Sequence, residues 1–201
     1  MNHHIKQNFE NIRNLITQIE ASNRQGKMLI FEEAVEKVIL SILEKTDAGG
    51  QILFIGNGGS AAIASHMATD FWKNIGLKAM AFNDSVLLTC ISNDHGYKYV
   101  FEKSIETFGT SSDILIAISS SGRSENILRG VQAAQAKGIT VITLSGFKPD
   151  NPLRTMGHIN FYVPESNYGH VECTHHILCH SFINVILSMN SKMQEKAVLY
   201  E

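Results

Sequence analysis

Two short runs in this sequence are composed as anion cradles. The first is Ile55-Gly56-Asn57-Gly58-Gly59-Ser60, lying between an apolar run and a helical pattern. Glycines there let backbone N–H groups turn toward a ligand, and the start of a helix adds partial positive charge. Ser60 is placed to cap that helix and to donate to an oxyanion. The second run is Ser119-Ser120-Ser121-Gly122-Arg123-Ser124, again before a helical pattern. A phosphate monoester presents three terminal oxygens, and the hydroxyls of Ser119, Ser120, Ser121 and Ser124 supply donors without bulk. Either run alone is also what an ordinary helix cap beside a tight turn looks like. Two of them after consecutive strands point to a phosphorylated ligand at the carboxyl ends of a sheet.

A third group of residues suits proton transfer. His66 and Asp70 are four apart and share a helix face, while Glu172, His176 and His180 recur at intervals of four near the C-terminus. Moving a proton between adjacent carbons of a sugar needs a base and an acid–base group at the oxygens, roles that a carboxylate and an imidazole fill. The same donors suit a divalent metal, zinc in particular. The plainer alternative is that buried histidines satisfy local hydrogen bonds, Asp70 faces solvent and Glu172 only complements a helix dipole. Cys173 and Cys179 read as packing residues. Gly56-x-Gly58-x-x-Ala61, with Asp84 further on, also fits a loose dinucleotide fingerprint. That motif leaves the serine run without a role.

Alternating elements must position these residues. Short, continuously apolar runs at Ile52 to Ile55, Ala79 to Phe82, Ile114 to Ile118, Val141 to Leu144 and Ile159 to Val163 predict parallel strands covered on both faces. Helical patterns at Ser60 to Trp72, Tyr97 to Phe108 and Ser124 to Lys137 lie between them. The alternation predicts an α/β, doubly wound, three-layer sandwich with a five-stranded parallel sheet. Before it, from Phe9 to about Glu44, spacings of three and four predict an N-terminal helical extension, broken into two helices at Ser22 to Gly26 and ended by Gly49-Gly50. The last helix, about Tyr168 to Met193, is apolar nearly all round and is expected to be buried, between subunits if not within one.

Composition narrows the class. The chain has 201 residues, of which 44% are hydrophobic, enough for one domain spanning 1–201 with its first 48 residues packing on the core or on a partner subunit. A net charge of −2 with scattered Lys and Arg gives no basic field for nucleic acid. The polar N-terminus has no signal-peptide core, and no run is apolar for the ~20 residues of a membrane span. Three cysteines form no disulfide framework. A cytoplasmic protein with reduced thiols is expected.

Taken together, Gly56-Asn57-Gly58-Gly59-Ser60-Ala61-Ala62, His66, Ser92-Asn93-Asp94-His95-Gly96-Tyr97, Ile118 to Ser124 and the Glu172 to His180 segment resemble the SIS (sugar isomerase) family, and within it the phosphoheptose isomerases. The resemblance covers nearly the whole chain. It implies an aldose–ketose isomerase acting on a sugar phosphate, sedoheptulose 7-phosphate above others. It implies phosphate held by Ser119, Ser120, Ser121 and Ser124, with Asn57, Gly58, Gly59, Ser60 and Asp94 around the sugar. His180 resembles the family's catalytic histidine, with Asp70 or Glu172 as the second base. His66, Asp70, Glu172 and His180 stand where the family binds zinc, and the family is a homotetramer with active sites between subunits. The chain departs from the family in several places: Asp70 stands for a longer glutamate, Glu172 for a glutamine, and Arg123 for an asparagine, where its guanidinium would add charge at the phosphate. The basic residue expected after the first sheet-packed helix is not clearly present, with only Lys73 near, and Tyr168 to Glu172 also differs. Two other readings share the fold. One is a non-catalytic sugar-phosphate sensor or assembly protein similar to the family's replication-initiation factor. The other is a hydrolase or lyase acting on a phosphosugar.

Overall fold

The computed structural model describes residues 1–198, with side chains through residue 189; the last three positions of the expected 1–201 domain lie outside the described residues. Five strands are parallel and fall where apolar runs predicted them: β3 (Ile52–Gly56), β4 (Ala79–Ala81), β5 (Ile114–Ser119), β6 (Thr140–Ser145) and β7 (Ile159–Tyr162). Every residue of β3, β5 and β7 is buried, as a sheet covered on both faces requires.

Alternate residues divide the core in two. Ile52, Phe54, Ile114, Ile116, Ile142 and Phe161 face α2 (Phe31–Asp47), α3 (Gly59–Ile75) and α7 (Tyr168–Val198). Leu53, Ile55, Leu115, Ala117 and Val141 face α5 (Val100–Phe108) and α6 (Glu125–Ala136). The result is the three-layer α/β sandwich that the alternation implied. Among the described residues no helix is long and apolar enough to cross a membrane.

The sheet is larger than five strands. The polar stretch read as a break between two helices forms an antiparallel hairpin, β1 (Glu20–Asn23) and β2 (Met28–Leu29), and β1 pairs with β7. The seven-stranded order is β2-β1-β7-β6-β5-β3-β4. The turn is built by Asn23, whose side-chain oxygen accepts the N–H groups of Gln25 and Lys27, with Gly26 at φ 76. Glu20-Ala21-Ser22-Asn23 has little strand propensity of its own; pairing with β7 imposes the extended form. The two expected N-terminal helices flank this hairpin as α1 (Asn2–Ile16) and α2.

Two further differences concern helices. Ser85–His95 forms α4, whose N-cap Asp84 accepts from the N–H groups of Val86 and Leu87. Its mixed apolar pattern gave no helical signal. And α7 is buried on one face only: Val171, His175, Leu178, Cys179, Phe182 and Ile186 are covered, while Ile177, Val185 and Met189 are exposed. An all-round apolar helix is therefore half uncovered in a single chain.

Candidate active site

Both glycine–serine loops lie at the carboxyl ends of adjacent strands, β3 and β5, beside each other. In the first, Gly58 rather than Ser60 occupies the N-cap of α3, at φ 53, and Ser60 is a buried residue of the helix's first turn. The expected capping by Ser60 does not occur; its hydroxyl belongs to the pocket. Gly56 is required because an added Cβ would sit 2.5 Å from the Ser60 carbonyl oxygen. In the second loop Gly122 adopts φ 62, and its N–H meets the carbonyl and hydroxyl oxygens of Ser119 at 3.0 and 3.2 Å. The two loops are tied by a reciprocal amide pair, Asn57 to Asn126 and back at 2.9 and 2.8 Å, with Tyr97 Oη donating to Asn57 Oδ1.

Between the loops is a pocket of about 230 Å³ lined by Asn57, Gly58, Gly59, Ser60, Ser119, Ser120, Ser121, Ser124, Tyr168 and Glu172. Eight predicted substrate-binding residues therefore line one cavity: Asn57, Gly58, Gly59, Ser60 and the four loop serines. The Ser120 hydroxyl is buried with no hydrogen-bond partner among the described residues, as expected of a donor reserved for a ligand. The start of α3 and the start of α6 both open on this pocket and favour an anion there.

Asp94 is not brought to it. The aspartate is exposed near the end of α4, where its carboxylate accepts from Asn93 at 2.9 Å. Arg123, expected to lend charge to a phosphate, instead pairs with Asp150 at 3.0 Å.

The imidazoles gather between α3 and α7, which run side by side in the same direction. Glu172 lies against Gly59, His176 and His180 against His66, and His180 against Asp70. Asp70 Oδ2 is 3.3 Å from His66 Nε2 and 3.8 Å from His180 Nδ1. The ligand atoms of His66, His176 and His180 lie within 4.8 Å of one another, a group that could hold a metal. Burial, and then the nearby His180 and His66, hold His176 below the ordinary imidazole value, so it is neutral and able to ligate. The carboxylate of Glu172, expected among these ligands, lines the serine-lined pocket instead, where only a glycine at 59 leaves it room.

His176 is the residue that the family resemblance left out of the metal set, although the spacing includes it. Its signal was the Glu172–His176–His180 stripe. His175, one residue earlier, is structural: its Nε2 donates to the Ser145 carbonyl at 3.0 Å and burial pushes it down to about 4.

The sequence and fold have counterparts among known proteins. The SIS domain signature matches residues 7–146. The phosphoheptose isomerase of Proteus mirabilis is 35% identical over 169 residues, 82% of this chain and 86% of that protein. That of Yersinia pestis is 36% identical over 160 residues, 77% of this chain and 82% of the relative. The phosphoheptose isomerase structure from Neisseria gonorrhoeae superposes with a TM-score of 0.80 at 28% identity, covering 93% of this chain and 98% of that one. The one from Francisella tularensis gives 0.79 at 26%, covering 92% and 96%. Shared sequence over most of the length, on a shared fold, places this chain in the SIS-domain family, among the phosphoheptose isomerases.

Proposed function

We propose that this chain interconverts a ketose phosphate and an aldose phosphate, with sedoheptulose 7-phosphate as the ketose, and that residues 1–201 work as one domain. The observation that carries the reading is the juxtaposition of a serine-lined anion pocket with a carboxylate, Glu172, inside it and a His66/Asp70/His180 group on the same pair of helices. The relatives named for phosphoheptose isomerisation support the substrate.

The phosphate binds first, to the hydroxyls of Ser119, Ser120, Ser121 and Ser124 and to N–H groups at the starts of α3 and α6. Anchoring one end converts the proton transfers at the other into intramolecular steps. Glu172 takes the proton from C1 of the ketose. The electron pair left behind forms the C1–C2 double bond, and His180 protonates O2 to give the enediol. His180 then removes the O1 proton as the C1 carbonyl forms, and Glu172 returns its proton to C2. Atoms and charge balance with no external reagent. Asp70, beside His180 Nδ1 and His66 Nε2, holds both rings.

A divalent metal, zinc by its preference for imidazole and carboxylate, fits the group that His66, His180 and Asp70 form. The fit is supported by His176, which has a ring nitrogen within 4.8 Å of the donor atoms of His66 and His180, and whose Nε2 is buried without a hydrogen-bond partner among the described residues. When bound, such an ion would polarise the substrate oxygens. The setting inferred is the cytoplasm, consistent with three free cysteines, and the working form a homotetramer.

A coupled assay with sedoheptulose 7-phosphate, with and without zinc, tests the reading. Turnover that His180→Ala abolishes, with sugar-phosphate binding retained, supports it. Binding without turnover of any ketose phosphate would identify a sensor instead.

A further inference from the structure

We propose that this chain binds its metal through three imidazoles, His66, His176 and His180, with Asp70 as the fourth donor, leaving Glu172 unligated as the proton-moving carboxylate of the sugar pocket. The inference rests on the reading of this cleft as an isomerase centre, and it changes the ligand set that the sequence implied by exchanging Glu172 for His176.

Four observations carry it. The first is distance. Bonds of about 2.0–2.1 Å to a tetrahedral zinc separate its donor atoms by roughly 3.4 Å. Asp70 Oδ2 already lies 3.3 Å from His66 Nε2 and 3.8 Å from His180 Nδ1, and the three imidazole donors are within 4.8 Å of one another. Asp70 is near His66 and His180 but outside the mutually close imidazole group, so its carboxylate must turn toward His176 to complete the shell.

The second is satisfaction. His176 Nε2 is buried and has no hydrogen-bond partner among the described residues. A buried nitrogen left unpaired is unfavourable, and coordination removes the penalty.

The third is arrangement. His176 and His180 are one turn apart on α7, their rings stacked at 28° with centroids 4.6 Å apart, and His66 meets both edge-on at 86° and 67°. Two histidines at i and i+4 on one helix face are a chelating pair, which a third histidine from a neighbouring helix completes.

The fourth is the position of Glu172. Its carboxylate fills the space above Gly59 that an added Cβ would occupy, and it lines the pocket with the loop serines. A carboxylate held there serves substrate, one helical turn from His176 and two from His180 along α7.

The test uses the full-length protein loaded with zinc. X-ray absorption at the zinc edge counts imidazoles, and competition with a chromophoric chelator gives affinity; neither depends on turnover. Three imidazoles are expected in the parent and two in His176→Gln. Zinc affinity should fall at least about a hundredfold in His176→Gln, since losing even an outer-shell partner costs 10–100-fold. Glu172→Ala, which removes any donor at that position, should change it less than about threefold. Far-ultraviolet circular dichroism confirms that both variants fold, and His176→Asn provides a second truncation if the first does not. Two imidazoles in the parent, no zinc bound at all, or a Glu172→Ala loss as large as that of His66→Ala would overturn the proposal. Absence of turnover by a zinc-loaded parent that shows three imidazoles would instead refute the isomerase reading and leave the ligand set standing.

Discussion

Gly59 and Ser120 are the residues on which single atoms decide most. A methyl at position 59 overlaps the Glu172 carboxylate, the mobile end of a long side chain, so Gly59→Ala should displace that group without unfolding α3. The expected result is a fall in kcat of on the order of a hundredfold, the scale set by misplacing a catalytic group by about 1 Å, with little change in melting temperature. Steady-state kinetics and thermal denaturation of the same preparation check it. Ser120 has a buried hydroxyl with no partner. Its removal in Ser120→Ala should weaken sugar-phosphate binding by roughly ten- to a hundredfold, the value of a hydrogen bond to a charged group, while leaving stability unchanged or improved. Calorimetric titration measures it. Residue types made the serine loop and the histidines legible, because phosphate and metal chemistry restrict which side chains serve. The division of labour between Glu172 and His176 was not legible. Both sit on one helical stripe, and only the close approach of α7 to Gly59 separates them.

At the scale of elements, the five parallel strands could be read from β-branched apolar runs, since a strand buried on both faces has no polar residue to spare. The β1–β2 hairpin could not, because its extended form depends on β7, some 135 residues later in the chain, rather than on local propensity. α7 carries two groups whose ionisation the fold suppresses. His175 stays neutral when folded, with a value of about 4 against 6.5 for an ordinary histidine. The unfolded chain therefore binds more protons between those values. Stability is unaffected above pH 6.5 and falls as pH drops toward 4, by roughly 3 kcal/mol in all. In His175→Gln that acid limb should flatten by about the same amount, as read from denaturant midpoints with chelator present. Cys179 is buried and its thiol is pushed up to about 12. Thiol reagents should modify exposed Cys90 in the native protein and reach Cys179 only on unfolding, which a timed colorimetric assay resolves.

At the scale of the molecule, an apolar groove of about 540 Å³ runs between α2 and α7, lined by Phe31, Val35, Ile39, Leu40, Val185 and Met189. Leu40 and Val185 are 52% and 40% exposed, which is costly for a surface that faces water and suits one that meets another copy. The combination Leu40→Lys with Val185→Glu should shift the proposed homotetramer toward smaller species in sedimentation velocity, with the serine-lined pocket intact.

The two rims of the sheet set a limit on how copies meet. β2 has two residues and β4 three, so each border offers at most a stub of unpaired backbone. Growth by lateral strand addition, the route to open-ended fibres, has no template to begin from on either side. The assembly proposed above would then rest on side chains of the helices, which favour a closed group of fixed number over an open one.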